Sequence, residues 1–369
     1  MKRFLYVAMA LSLLASCKEE ISMDTLDGSP KLVVYCMPTV GDTTYIGVSR
    51  SVPVTKYNNT SKLTRVDNAH IDYTVNGQSI AVEHVGKGYY RVVGRQNAGD
   101  KIALKVQAVG FESVRATTTI PQPVPIGDLD YNYVRRYNDL MGRQETFDQI
   151  TGTFKDDPNS HDHYAVRVKI KCYNGKATLY KGNFKDWHIY YNEYLRRLKE
   201  TKCDSTRVEM KDSIYYYPQV SPRSEPLLSP VSGIDENFGF TNNFFGNLYI
   251  FDDKAINGKT YTLHLDIDPN NQPIMYDKDG HMLYPNYNFA KAYQLELLRI
   301  TPEYYNFLRS LNDLENNDLG QAGLSLIRPM QSNIDGGLGL LGGWSVASSD
   351  WKMRIDKDLI KKPNGKMTH

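Results

Sequence analysis

Apolar and polar residues alternate in short runs along the first third of the chain. Runs at 32–37 and 43–51 open the series, and runs at 70–75, 79–84 and 89–93 follow, separated by Asn76-Gly77 and by Gly86-Lys87-Gly88. Runs at 102–109 and 113–120 flank Gly110. Within the first of these, Lys105 and Gln107 fall between apolar positions, which is the period-two pattern of a strand with one face buried. Asn-Gly tolerates the positive φ angles of a two-residue hairpin and marks one here. Seven short strands in about ninety residues predict an immunoglobulin-like β-sandwich over 31–121. Pro121, Pro123 and Pro125 then interrupt the pattern, because proline donates nothing to a strand ladder, so a second domain is placed at 124–369.

The second region is less regular. Tyr164, Val166, Val168 and Ile170 alternate with Arg167, Lys169 and Lys171, and further strands are expected at 244–251, 261–267 and 292–300. Two helices are expected. Residues 186–200 place Trp187, Tyr191, Tyr194 and Leu198 on one stripe, inside a segment at about 173–202 that reads as an insertion. A second helix starts at Thr301-Pro302-Glu303, with a capping hydroxyl, proline at the first helical position and an acid in the first turn. Tyr304, Phe307, Leu308, Leu311 and Leu314 then keep the helical period. There is no fixed-length repeat, which argues against a solenoid or propeller. The expected fold is mainly β: the sandwich, followed by a larger β-rich domain with two helices.

The first residues carry a different pattern. Met1-Lys2-Arg3 is cationic, residues 4–16 are apolar, and Cys17 follows at once. Thirteen residues at about 1.5 Å each span about 20 Å, short of the roughly 30 Å hydrocarbon core, so the run reads as a signal segment and not a membrane span. Leu14-Ala15-Ser16-Cys17 resembles the lipobox of bacterial lipoproteins. That resemblance implies cleavage before Cys17, diacylation of its thiol and acylation of the new amine, with residues 17–30 as a lipidated tether. Acyl chains contribute about 0.8 kcal/mol per buried CH₂, and lasting attachment takes more than one. Lys18-Glu19-Glu20 resembles the export signal that directs lipoproteins of Bacteroidota to the outer face of the outer membrane.

Composition narrows the picture further. Lys plus Arg exceed Asp plus Glu by 44 − 42 = 2, and both surplus charges are Lys2 and Arg3, so nothing in bulk charge points to nucleic acid. Tyrosine is abundant, 27 against 12 Phe and 3 Trp, which suits a surface that contacts partners or polar ligands. With Cys17 lipidated, Cys36, Cys172 and Cys203 remain, enough for one bridge at most. Cys172 and Cys203 bracket the inserted segment and are the favoured pair, while Cys36 lies in an apolar run and reads as core.

From Lys31 onward the chain resembles the DUF4249 family, lipoproteins of Bacteroidota of uncharacterised function. The matching pieces include Lys31-Leu-Val-Val-Tyr, Gly88-Tyr-Tyr-Arg, Phe154-Lys-Asp-Asp-Pro, Asp162-His-Tyr-Ala-Val and Asn257-Gly-Lys-Thr-Tyr-Thr-Leu. The most specific is the run from Pro329 to Gly343, with its Ser-Asn-Ile and paired glycines. The resemblance implies a genetic neighbourhood rather than a chemistry: members are often encoded beside TonB-dependent, SusC-like outer-membrane receptors.

Individual motifs favour structure over catalysis. Gly337-Leu-Gly-Leu-Leu-Gly342 matches GxGxxG, but Gly343-Trp-Ser-Val follows as a turn into a strand, where a dinucleotide loop requires a helix. His161 and His163, near Asp156 and Asp157, have metal-ligand chemistry but lie beside an Asp-Asp-Pro-Asn-Ser turn. Asp266, Asp268, Asn270 and Asp277 have the spacing of a calcium loop without its central glycine or its preceding helix. No cofactor is expected, and no GxSxG, HExxH or phosphate loop supports an enzyme, although a surface hydrolase built on a carboxylate cluster is a third reading. The best contact candidates are Trp187, Tyr190, Tyr191 and Tyr194, with Tyr190 off the stripe, and Tyr215-Tyr216-Tyr217.

The leading expectation is a surface-exposed, lipid-anchored subunit of a TonB-dependent β-barrel nutrient transporter, held in outer-membrane lipid through acylated Cys17. The alternative is a stand-alone glycan- or peptide-binding surface protein. Cys17→Ser is expected to move the protein from the membrane pellet to the soluble fraction, and membrane fractionation followed by immunoblotting measures it.

Overall fold

The computed structural model describes residues 28–52, 64–138, 142–181, 184–189, 205–221, 224–228, 243–244, 248–267, 275–276, 282–283, 290–316, 330–354 and 367–368. It is mainly β. The N-terminal strands are β1 (Leu32–Cys36), β2 (Gly41–Arg50), β3 (Thr64–Arg65), β4 (His70–Val75), β5 (Gln78–Ile80), β6 (Val82–Gly86), β7 (Tyr89–Gln96), β8 (Lys101–Gln107) and β9 (Val114–Thr119). The middle of the chain supplies β10 (Asp130–Asn138), β11 (Arg143–Lys155), β12 (His163–Lys181), β13 (Phe184–Ile189), β14 (Ser205–Tyr216) and β15 (Val220–Ser221). Then come β16 (Asn243–Phe244), β17 (Leu248–Asp252), β18 (Thr260–Ile267), β19 (Met275–Tyr276), β20 (Met282–Leu283) and β21 (Ala290–Ile300). Helix α1 (Pro302–Asn316) precedes β22 (Leu338–Leu341), β23 (Trp344–Ser348), β24 (Lys352–Arg354) and β25 (Met367–Thr368).

The N-terminal strands form two sheets, ordered β1-β2-β7-β6 and β5-β4-β8-β9. Their inward residues share one core: Leu32, Val34, Ile46, Val48 and Val92 from the first sheet meet Ile71, Tyr73, Ile102, Leu104 and Val106 from the second. The alternation seen in the sequence is this burial, since β8 runs exposed–buried in strict register. Asn76 and Gly77 adopt φ of 51° and 81° and turn β4 into β5. The run at 79–84 divides between the two sheets, with β5 in one and β6 in the other. The proline stretch crosses between cores: Ile120 packs into this one and Val124 into the next.

The next core lies between the sheet β10-β11-β18-β15 and a nine-stranded sheet centred on β12 and β21. Ile150, Phe154, Leu263 and Leu265 face Val166, Val168, Ile170, Leu295 and Leu297 across it. On the other face of the large sheet, α1 covers Ala165, Ile250, Leu298 and Ile300 with Tyr305 and Leu308. Helix α1 starts at Pro302, as the proline and flanking residues require, but the Thr301 hydroxyl has no hydrogen-bond partner and so does not cap it.

The structure departs from the sequence reading around β12. Among the described residues there is one helix. The segment expected to open another is β13, paired antiparallel with β12 through Lys181↔Phe184 and Tyr180↔Lys185. Its aromatic and β-branched residues are as well suited to a strand, and an available partner strand decides between the two. Trp187 sits on that strand, while Tyr190, Tyr191 and Tyr194 lie outside the described residues. Residues 173–181 simply continue β12, pairing with β14. Cys172, the described half of the expected pair, is a buried free thiol opposite Ile214. Cys203 itself lies outside the described residues. Burial pushes the thiols of Cys36 and Cys172 up, which keeps both protonated.

The GxGxxG run is a strand. β22 pairs parallel with β1 (Val33↔Leu338 to Cys36↔Leu341), adding an edge to the N-terminal sandwich from more than three hundred residues away. Asn333 fixes it with a two-way amide bond, accepting from Leu341 N at 2.9 Å and donating to Leu341 O at 2.8 Å. Gly342 N donates to Cys36 O at 3.0 Å and Trp344 Nε1 to Met37 O at 3.1 Å. Gly339 adopts φ 113°, and a Cβ there would collide with the Val34 carbonyl oxygen. Gly339→Ala is therefore expected to cost about 4 kcal/mol or more, while Gly110→Ala, at positive φ but in open space, costs about 1–2 kcal/mol. Urea unfolding of the two variants measures the difference.

Candidate functional site

Two polar constellations stand out, one at the start of β12 and one along its first half. The first lies where the chain enters that strand. Asp156, Asp162 and Asp253 are all buried, and one carboxylate oxygen from each lies within 4.8 Å of the others. The loop before β12 supplies Asp156 and Asp162, and the turn after β17 supplies Asp253. Tyr164 Oη donates to Asp156 Oδ1 at 2.6 Å and to Asp162 Oδ2 at 3.3 Å. Gly258 N donates to Asp156 Oδ2 at 2.8 Å, and Asp162 N to Asp253 Oδ2 at 2.6 Å. Arg299, from β21, pairs with Asp162, and Ser160 Oγ donates to the same carboxylate at 3.1 Å. Burial and the Asp156 hydrogen bond push the Tyr164 hydroxyl far above its ordinary range, so it is a fixed donor.

These are ligand types a cation would use, but the donors around them are the protein's own. Among the described residues Asp253 Oδ1 has no close donor, with His161 Nδ1 at 3.9 Å. The cluster ties the 156–162 loop to the 253–258 turn. The histidines do not join it as a ligand pair. His161 has a side chain 89% exposed, while His163 packs its ring on Tyr305 at 4.6 Å, under α1. Asp266, the first oxygen of the calcium-type spacing, is buried and accepts from Arg136 Nε at 3.0 Å, Gln149 Nε2 at 2.8 Å and the Ser224 hydroxyl. Asp268 lies outside the described residues.

The second constellation is on the half of the nine-stranded sheet that α1 leaves uncovered. Arg167, Lys169 and Lys171 project from β12 on alternate positions, and β14 brings Tyr215 opposite Lys171. Tyr217 lies under Arg167 at 4.2 Å, and Lys169 and Lys171 lie 5.2 and 5.3 Å from the Tyr215 ring. Trp351 meets Tyr215 at 5.7 Å between centroids. Glu296 takes Arg167 at 2.5 Å and Lys169 at 4.0 Å. Among the described residues three cations and one acid meet here, and Tyr215 and Trp351 are 52% and 39% exposed. The period-two cation pattern and the Tyr215–Tyr217 run were visible in the sequence; Trp351 and Glu296 were not, because only strand pairing brings them in.

These features define a multi-sheet β protein with a polar knot at the start of its central strand and an aromatic, cationic face along that strand's first half. The chain belongs to the family described as a domain of unknown function, DUF4249, whose pattern matches residues 18–350. No curated protein and no solved structure matches it. No helix of the described residues is long and apolar enough to cross a membrane.

Burial also holds the His163 imidazole below its ordinary pKa of 6.5. A base whose folded pKa is depressed binds its proton better unfolded, so stability falls as pH drops below about 6.5. His163→Phe is expected to flatten that part of the pH–stability curve, as followed by urea midpoints between pH 7.5 and about 5.

Proposed function

We propose that this protein is a surface-exposed outer-membrane lipoprotein, anchored through acylated Cys17, that serves as a non-enzymatic accessory or ligand-capturing subunit of a TonB-dependent, SusC-like transporter. The observation that carries the reading is Leu14-Ala15-Ser16-Cys17 with Lys18-Glu19-Glu20, set ahead of a body that presents the Tyr215–Trp351 face. Aromatic rings flanked by cations supply contact area at low entropic cost and are the residue types that dominate partner interfaces. Family resemblance to lipoproteins encoded beside such receptors supports the same partner. The strand orders β1-β2-β7-β6 and β5-β4-β8-β9 support an immunoglobulin-like sandwich as the first domain.

Cavities along the outer face of the β5-β4-β8-β9 sheet favour a second reading, a stand-alone glycan- or peptide-binding surface protein. Ligand binding by the receptor-free protein separates the two.

Extraction in mild detergent is expected to recover a β-barrel receptor with the protein. Tyr215→Ala combined with Trp351→Ala should reduce that recovery at least about tenfold, the effect of losing about 1.4 kcal/mol. Repeated purification without any β-barrel partner would overturn the proposal.

A further inference from the structure

Two adjoining cavities of about 550 and 900 Å³ form one trough across the outer face of the β5-β4-β8-β9 sheet. They share Thr74, Ala103, Thr117 and Glu303. Strand register explains the shape. Thr74, Ala103 and Thr117 lie side by side across β4, β8 and β9 and make a floor of small side chains. Asp72, Lys105 and Arg115 form the next row on one bank, and Lys101 with Thr119 forms the row on the other. Thr301 and the first two residues of α1, Pro302 and Glu303, line the second cavity, and Asn333 and Asp335 line the first.

The charges are not all committed. Arg115 is held by Asp335 at 2.8 Å, and Asp72 by His70 at 3.1 Å. Lys101, Lys105 and Glu303 form no ion pair with any described residue, and the two lysines, four residues apart on one strand, stand about 13 Å apart on opposite banks. Thr301 is 9% exposed, and its hydroxyl has no hydrogen-bond partner. Among the described residues no aromatic ring lines either cavity, so a pyranose ring has no platform to stack on. Threonine hydroxyls both donate and accept, which suits a chain of alternating N–H and C=O groups lying close over a small-residue floor.

We infer that the trough binds short zwitterionic peptides. The peptide carboxylate meets one of the two lysines, Lys101 or Lys105, its amino terminus meets Glu303, and Thr74 and Thr117 bond its amides. The site goes beyond the transporter reading and requires no barrel receptor.

Isothermal titration calorimetry on the full chain in mild detergent tests this with four probes: tetra-alanine, its N-acetyl form, its C-terminal amide and maltotetraose. Tetra-alanine is expected to bind, and acetylation or amidation each to weaken it about tenfold, a change of about 1.4 kcal/mol. In Glu303→Gln acetylation should no longer matter while amidation still does. In the double variant Lys101→Gln, Lys105→Gln the pattern should reverse. Both variants change exposed side chains, and circular dichroism checks that they fold. The inference is overturned if tetra-alanine does not bind, if acetylation weakens Glu303→Gln as much as the parent, or if maltotetraose binds where the peptide does not. None of these results bears on receptor co-purification.

Discussion

Close backbone approach between residues 337–343 and the first strands is the constraint on which the molecule depends. Gly337, Gly339 and Gly343 each lie where a side chain would strike a carbonyl oxygen, of Leu32, Val34 and Thr119 respectively. That proximity lets β22 lie beside β1, lets Gly343 N donate to Thr118 Oγ1 at 3.0 Å, and lets Gly343 O receive Thr301 N at 3.0 Å. One short segment thus touches the first sheet, the second sheet and the start of α1. The next strand, β23, pairs with β21 and extends the connection into the nine-stranded sheet. The motif that superficially matches a nucleotide loop is a clasp.

A second theme is the buried tyrosine. Its abundance is only partly a matter of surface contact, since Tyr73, Tyr164, Tyr249 and Tyr293 are among the largest fully buried side chains. Each finds a polar partner at its hydroxyl. Tyr73 donates to Gln96 at 2.7 Å, Tyr164 to Asp156, and Tyr293 to Asp148, while Tyr249 accepts from Val220 N at 2.7 Å. Burial pushes the Tyr249 hydroxyl up to about 12 and the others higher still, so all four stay protonated under ordinary conditions. An apolar ring with a hydrogen-bonding tip fills the core and fixes register together. Asp148 shows the arrangement at its tightest: fully buried, it takes the Tyr293 hydroxyl and lies 3.3 Å from Arg354, which joins β24 to the opposing sheet.

Legibility in the sequence followed burial. Strands with one buried face, such as β4 and β8, announce themselves by alternation, and α1 by Pro302 and its apolar stripe. The segment 186–189 misled because an aromatic stripe satisfies both periods, and the ladder to β12 is a long-range fact. β22 carried no alternating pattern, since glycine is chosen there for the space it leaves. Asp266 looked like a loop ligand because Arg136 and Gln149, which occupy it, are more than a hundred residues distant. The trough was hidden for a related reason: outward-facing threonines and lysines look like ordinary solvated surface until the start of α1 is brought beside them.

The parallel pairing of β22 with β1 also sets an order of events. Until residue 341 has emerged from the ribosome, β1 has an unpaired edge, and an unpaired edge invites pairing with other chains. Contacts of such long sequence separation form late because the loop they close is entropically costly. As it is made, this chain must keep its earliest strand shielded by other means until that distant segment arrives.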